Sequence, residues 1–136
     1  MSAVQNRAVR EWGSLAFRAL IALIFVASGF LKLADPEGTA ALATVPIAVA
    51  VLSGCFELAA GLSLLVGYWT RGSAVALMVF LVPVTIRFHN PAGLEASEMQ
   101  LQANMLMKNA AILGGLVGLY VYGPGPLSLD ALRAKK

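Results

Sequence analysis

The sequence predicts an all-α integral membrane protein in which four transmembrane helices form a bundle. Hydrophobic residues make up 59% of the chain and charged residues only 12%, about half the charged fraction that is usual in soluble domains. So many apolar side chains cannot be buried in one small water-soluble core, and they fall into long uncharged runs that suit a lipid environment. The length of 136 residues suits a single domain, residues 1–136.

Four segments are predicted to cross the membrane. Each is largely apolar and ends at proline, glycine or charged residues. The predicted spans are residues 12–33, 46–68, 73–88 and 101–122. The first is interpreted as a retained helix and not as a secretory signal, because its apolar run is long and is followed by Lys32 and Asp35. A short helix at residues 38–42 is expected at the membrane interface.

The fourth span determines which polar residues enter the membrane. It must end at the Gly-Pro-Gly-Pro run of residues 123–126. Residues 109–122 alone are too short for a hydrocarbon core that is about 30 Å thick. The helix is therefore predicted to begin near Leu101, which places Asn104 and Lys108 inside the membrane. A re-entrant segment is the alternative.

Charges outside the spans predict the orientation. One side carries basic residues at both termini and between the second and third spans, at positions 7, 10, 71, 133, 135 and 136. The other side carries four acidic residues, at positions 35, 37, 95 and 98. By the positive-inside rule, both termini are expected in the cytoplasm and the chain in the cytoplasmic (inner) membrane, as a multi-pass protein surrounded by lipid bilayer. No basic run interleaved with aromatic residues predicts nucleic-acid binding.

Ionisable residues within the spans are the candidates for function, because each costs at least about 2.5 kcal/mol at the bilayer centre. Glu57 and Lys108 lie on helix faces that carry small residues, where a neighbouring helix can approach closely. We predict an ion pair between them, with Arg18 as the competing partner of Glu57. The alternative interpretation is structural, since buried ion pairs can set helix register without taking part in chemistry.

Two residues at the end of the third span are less specific. Arg87 is expected to snorkel to the interface, and His89 is either a helix-end residue or a proton relay. The chain has one cysteine, so it has no CxxC motif and cannot form an internal disulfide. It also has one histidine, which excludes a two-histidine haem site within the chain. No haem, flavin or metal site is predicted.

Four motifs together resemble the DoxX family of small four-helix bacterial membrane proteins, which includes the DoxD subunit type. The motifs are Arg18 with Ser28-Gly29-Phe30-Leu31-Lys32-Leu33 and Asp35-Pro36, then Phe56-Glu57-Leu58-Ala59-Ala60-Gly61-Leu62 with Gly67 and Thr70-Arg71, then Phe88-His89-Asn90, and then Met107-Lys108-Asn109. They extend over about residues 15–122, and Ala60 stands where the family often has glycine. The resemblance implies a four-helix bundle and an association with redox chemistry. Some relatives are linked to thiosulfate oxidation with electrons delivered to quinone, and others resemble membrane partners of redox or detoxifying enzymes.

The first function hypothesis is a component of a quinone-linked redox system, possessing oxidoreductase activity only together with an electron donor. A quinone is the expected cofactor. The candidate catalytic residues are Glu57, Lys108 and His89, and the candidate cofactor contacts are Arg18, Lys108, Asn104 and Asn109. The electrons would come from a substrate or from a redox partner protein, because no flavin, haem or iron–sulfur motif is visible.

The second hypothesis is a non-catalytic membrane scaffold that recruits a redox or detoxifying partner. Short loops and small-residue helix faces fit this role. A small-molecule permease is a third hypothesis, although no inverted repeat or pair of broken helices supports it. The sequence decides neither the oligomeric state nor whether the chain is an enzyme.

Overall fold

The computed structural model describes residues 3–89 and 95–135, with side chains described from residue 6 onward. Asn90 and Lys136, which entered the motif and charge arguments, lie outside these ranges. The helices are α1 (Ala3–Ala34), α2 (Pro36–Ala43), α3 (Ile47–Val66), α4 (Thr70–Phe88), α5 (Ala96–Tyr122) and α6 (Leu129–Arg133). Four of them, α1, α3, α4 and α5, are long and apolar enough to cross a membrane. This confirms the predicted all-α fold with four transmembrane helices.

The observed helices differ from the predicted spans mainly at their polar ends. α1 has 32 residues, about 48 Å, so it extends well beyond a hydrocarbon core of about 30 Å. α5 is one continuous helix of 27 residues that begins at Ala96 and not near Leu101. The re-entrant alternative is therefore wrong. Hydropathy locates the apolar part of a helix, whereas polar residues such as Glu98 and Gln100 belong to the extension of the same helix before the apolar part.

α1 and α3 pack closely through glycines. A Cβ atom added to Gly29 of α1 would lie 2.6 Å from the backbone nitrogen of Leu58 and 2.7 Å from the carbonyl oxygen of Gly54 on α3. A Cβ added to Gly61 would lie 2.9 Å from the backbone nitrogen of Val26. Small residues thus allow the two backbones to touch, as in other membrane helix pairs. α4 and α5 form the second closely packed pair.

The core of the bundle is apolar, with side chains contributed by all four long helices. Its buried members are Ala22, Phe25, Leu64, Ala74, Leu77, Leu81, Leu116 and Leu119. The large apolar residues on the outer faces of the helices are exposed, for example Leu20, Leu52 and Val79. An apolar outer surface of this kind is suited to lipid, which confirms contact with the bilayer as the expected environment.

The two short helices mark opposite ends of the bundle, which we call the α2 end and the α6 end. α2 begins at Pro36, and the Asp35 carboxylate caps it by accepting a hydrogen bond of 2.9 Å from the backbone N–H of Gly38. This confirms the predicted short helix at residues 38–42. The α6 end holds α6 together with the connection between α3 and α4. Which end faces the cytoplasm stays a prediction.

Candidate functional site

Glu57 lies in the middle of α3 and is 3% exposed. Its carboxylate forms an ion pair and a hydrogen bond with the ammonium of Lys32, in the last turn of α1. The predicted ion pair between Glu57 and Lys108 is therefore wrong. The physical reason is the glycine contact at Gly29, which brings α1, and with it Lys32, directly against α3. α5, which carries Lys108, packs mainly on α4.

The Lys32–Glu57 pair lines a cavity of about 190 Å³ among α1, α3, α4 and α5, which we call the polar cavity. His89, Lys108 and Asn109 line the same cavity. Its apolar wall includes Phe25, Phe80, Val84 and Ile112. The structure thus brings the three predicted catalytic residues together, although Lys108 is a neighbour of the ion pair and not a member of it.

A second cavity, of about 300 Å³, lies beneath α2, and we call it the tail cavity. Its walls come from α2, α3 and α4, together with Lys32 of α1, and are largely apolar, with Val49 and Phe88 among them. Four residues border both cavities, namely Lys32, Phe80, Val84 and His89. A polar space and an apolar space therefore meet at one shared wall.

Aromatic contacts fix part of this shared wall. The ammonium nitrogen of Lys32 lies 5.7 Å from the centroid of the Phe80 ring, within the range of a cation–π interaction. The Phe80 and Phe56 ring centroids are 5.1 Å apart, with their planes inclined at 47°. Such tilted pairs are a favourable aromatic arrangement. Lys32 is therefore held both by the Glu57 carboxylate and by an aromatic face.

Lys108 and His89 differ from Lys32 in their hydrogen bonding. The Lys108 ammonium contacts the thioether sulfur of Met105 at 3.4 Å, and a thioether is only a weak acceptor. The His89 ring nitrogen Nδ1 lies 2.9 Å from Oε1 of Gln102. With the Gln102 amide in this orientation, its oxygen can only accept, so the matching neutral tautomer carries the hydrogen on Nδ1 and the lone pair on Nε2.

The two asparagines predicted as cofactor contacts have different surroundings. Asn109 is buried, and its amide nitrogen donates a 2.9 Å hydrogen bond to the hydroxyl of Thr85, which in turn donates to the carbonyl of Leu81 at 2.7 Å. This chain of bonds ties α5 to α4 beside the polar cavity. Asn104 is exposed, accepts a hydrogen bond from Gln100 one turn earlier, and is not among the residues that line the polar cavity.

Arg18 lies at the α6 end, about 21 Å along α1 from Lys32, and is 1% exposed. Its guanidinium donates to the carbonyls of Leu65 at 3.3 Å and Leu127 at 2.7 Å, and also to that of Pro124. The prediction that Arg18 competes for Glu57 is wrong, because the two side chains lie at different levels of the bundle. Arg18 is also absent from the polar cavity, where it was expected as a cofactor contact.

Gly67 makes room for this arrangement. It ends α3 in the left-handed conformation, with φ of 69°, which glycine adopts without the steric cost that a side chain would add. A Cβ at this position would lie 2.5 Å from Cβ of Ser128 and 3.0 Å from Cζ of Arg18. Gly67 belongs to one of the sequence motifs, but no pattern in the sequence links it with Arg18.

Asp130 is a structural residue that the sequence analysis missed. Its two carboxylate oxygens accept hydrogen bonds from the backbone N–H groups of Trp69 at 2.8 Å and Thr70 at 2.9 Å, so α6 caps the start of α4. Burial raises the pKa of Asp130, but hydrogen bonds from Thr70 and Trp69 and the charge of Arg133 outweigh burial and lower it below its ordinary value. No local pattern links residues 60 positions apart.

Lys32 is the functional candidate that sequence reasoning missed. Its position suggests a charge near a helix end, because only Leu33 and Ala34 separate it from the Asp35-Pro36 pair. The available signal was its helical spacing. Lys32 lies about one turn from Gly29, so it shares the face that packs on α3.

Comparison with known proteins agrees with the motifs. A family model described as DoxX matches residues 13–90. Inner membrane protein YqjF of Escherichia coli is 30% identical over 94% of this chain and 97% of its own length. Inner membrane protein YphA of the same organism is 28% identical, covering 85% of this chain and 86% of that protein.

An uncharacterized membrane protein of Mycobacterium tuberculosis is 29% identical over 90% of this chain and 82% of its own length. No solved structure matches the chain. The relatives and the four apolar helices together identify a multi-pass protein of the inner membrane. The family model covers more than half of the chain, and the chain accordingly belongs to the DoxX family.

Proposed function

We propose that the protein is the membrane component of a quinone-linked redox system and that the quinone binds at the α2 end. The observation that carries this proposal is the shared wall between the polar cavity and the tail cavity. A quinone with an isoprenoid tail needs polar groups at its ring carbonyls and an apolar space beside them. Lys32 and His89 border both spaces, so ring and tail can be accommodated next to each other.

The residues of the polar cavity fit the ring. Among the described residues, the Lys108 ammonium contacts only the weak acceptor sulfur of Met105, which leaves ammonium hydrogens for a ligand. Asn109 uses its amide nitrogen toward Thr85, which leaves one of the two amide hydrogens for another acceptor. Carbonyl oxygens are acceptors, and preorganised donors stabilise negative charge that develops on them. A bound quinone would supply an acceptor for two electrons and two protons in this cavity.

Glu57 and His89 are the residues proposed to handle protons. Lys32 keeps Glu57 beside the cavity through the ion pair. His89 lies at the end of α4, at the α2 end of the bundle, and its Nε2 is the nitrogen able to take up a proton. We propose that protons reach the ring through His89 and Glu57, while electrons come from a substrate or a redox partner protein.

Quinone binding to the purified protein in lipid nanodiscs tests this function. Calorimetric titration with a short-chain quinone should show saturable binding, and Glu57→Gln and Lys108→Met should each weaken it about tenfold, which corresponds to about 1.4 kcal/mol. Matched controls exist at the α6 end and the C-terminus. Asp130→Asn removes a carboxylate and Lys135→Met removes an ammonium, and both variants should bind like the wild type.

Two outcomes would count against the proposal. The first is the absence of saturable binding by the wild type. The second is equal affinity in all four variants. The scaffold hypothesis predicts the first outcome, together with a loss of stability in Glu57→Gln and a protein that copurifies with the chain. The titration therefore separates the two functions.

A further inference from the structure

The charges that line the polar cavity do not balance. The cavity has two ammonium groups, Lys32 and Lys108, and one carboxylate, Glu57. The Glu57 carboxylate is paired with Lys32. All seven acidic side chains of the sequence fall within the described ranges. The ion pairs formed there are Lys32–Glu57 and Arg7–Glu11, so no described carboxylate pairs with Lys108.

Lys108 therefore brings a positive charge with unused donors to the wall of the polar cavity. Its ammonium has three hydrogens, and its described contact is the weak acceptor sulfur of Met105. Lys108 is an exposed residue and is not enclosed by the bundle, but in a membrane an ammonium group without a counter-charge is unfavourable. A bound anion would supply the missing counter-charge, and charge-assisted hydrogen bonds are stronger than neutral ones.

We propose that the preferred ligand is an amphipathic anion, with an ionised oxygen at Lys108 and an apolar tail in the tail cavity. The proposal rests on the proposed function for the position of the ring, and it adds the charge of the ligand. Among quinones, the site should therefore prefer those that carry an acidic hydroxyl on the ring over those that are neutral. The same chemistry is shared by long-chain carboxylates.

The lining of the two cavities determines how this ligand would be oriented. Lys108 and Asn109 line the polar cavity and not the tail cavity, whereas Thr39 and Val49 line the tail cavity and not the polar one. Phe80 and Val84 belong to both. The ionised oxygen therefore lies toward α5, the ring lies beside Phe80, and the tail runs beneath α2.

A pair of matched probes tests the proposal on the full-length protein in nanodiscs. One probe is a 2-hydroxy-3-alkyl-1,4-naphthoquinone, which is ionised at neutral pH, and the other is its methyl ether, which is neutral. The hydroxyquinone should bind the wild type about tenfold more tightly. Lys108→Met should abolish this preference, Lys108→Arg should retain it, and the control Lys135→Met should leave it unchanged.

The test stays decisive even if Lys108→Met perturbs the fold, because a second variant controls for folding. Lys108→Arg keeps the charge and serves as the folding-matched partner of Lys108→Met, and circular dichroism checks the helix content of both. Equal affinity of the two probes for the wild type would overturn the proposal. A preference that persists in Lys108→Met would overturn it as well.

A second probe pair separates this proposal from the proposed function. Dodecanoate is an anion and dodecanol is neutral, so they differ in charge as the two quinone probes do, but neither is a quinone. If neither quinone binds and dodecanoate still binds more tightly than dodecanol in a Lys108-dependent manner, the quinone function fails and the anion site stands. If both quinones bind equally, the function stands and the anion site fails. If none of the four binds, both proposals fail.

Discussion

The α6 end and the α2 end of the bundle each bury charged side chains, but they surround them differently. At the α6 end, Arg18 is enclosed by the carbonyls of Leu65, Pro124 and Leu127, and Gly67 packs against it without space for a side chain. At the α2 end, the Lys32–Glu57 pair faces a cavity of about 190 Å³, with Lys108 beside it.

The comparison shows that a buried charge does not by itself identify a functional site. Arg18 is the most deeply buried ionisable residue described, yet its guanidinium donates to backbone carbonyls. These hydrogen bonds connect α1 to α3 and to the segment before α6. At the α2 end, both space and unused donors remain. These two properties are what a ligand site requires.

The largest expected effect tests the structural role of Arg18. Arg18→Met removes three hydrogen bonds and leaves three partly buried carbonyls without this donor, which should cost about 3 kcal/mol of unfolding free energy. Denaturant unfolding in detergent, followed by circular dichroism, measures the loss. Lys135→Met, at an exposed site, should change stability by less than about 0.5 kcal/mol. A loss in Arg18→Met as small as in this control would contradict the structural interpretation.

The next effect tests the ion pair at the α2 end. Glu57→Gln leaves Lys32 without its counter-charge and should cost about 2 kcal/mol, less than Arg18→Met, because Lys32 is 24% exposed and can reach water. Lys32→Met should cost a similar amount. The double variant should lose less than the sum of the two, with a coupling of about 1 kcal/mol. Strictly additive losses would show that the two side chains do not interact.

A smaller effect concerns the cap at the α6 end. Asp130→Asn should cost about 1 kcal/mol, the usual value of a helix cap. The folded-state pKa of Asp130 is lowered, so its stabilisation is complete above the ordinary carboxyl pKa and disappears as the pH falls through the folded-state value. The difference in stability between the wild type and Asp130→Asn should therefore shrink below about pH 4. A difference that grows on acidification would contradict this assignment.

The smallest effect on stability is expected at Lys108, although its substitution should weaken ligand binding. Within the part of the chain that the structure describes, Lys108→Met removes one contact, with the Met105 sulfur, and should change the unfolding free energy by less than about 0.5 kcal/mol. Thermal unfolding measures this difference, with Lys108→Arg as the control. A loss above about 2 kcal/mol would mean that Lys108 is a structural residue like Arg18.

The fold was predictable from the sequence because long apolar segments have few alternatives in a membrane. The cost of burying charge likewise singled out Glu57, Lys108 and Arg18 as residues in need of partners. The identity of the partners was not predictable. A sequence gives the position of a residue along its own helix, but not which helices are neighbours at that level. The contact at Gly29 decided that Lys32, and not Lys108, pairs with Glu57.

The α6 end was the least predictable region. Arg18 donates hydrogen bonds to backbone carbonyl groups. Every residue has such a group, so no side-chain pattern in the sequence predicts which ones accept. Asp130 caps a helix that begins 60 residues earlier in the chain. Two helices also begin earlier than predicted, at Ala3 and not at residue 12, and at Ala96 and not at residue 101. Hydropathy does not show where a polar extension of a helix ends.

Photoaffinity labelling of the protein in nanodiscs tests the central claim most directly. An azido-quinone is activated by light, and the labelled peptides are located by mass spectrometry. We predict labels on α4 near Phe80 and His89 and on α5 near Lys108, and their loss when an excess of unlabelled quinone is present. Labels confined to the α6 end around Arg18, or spread over the lipid-facing surface and insensitive to the competitor, would contradict the account.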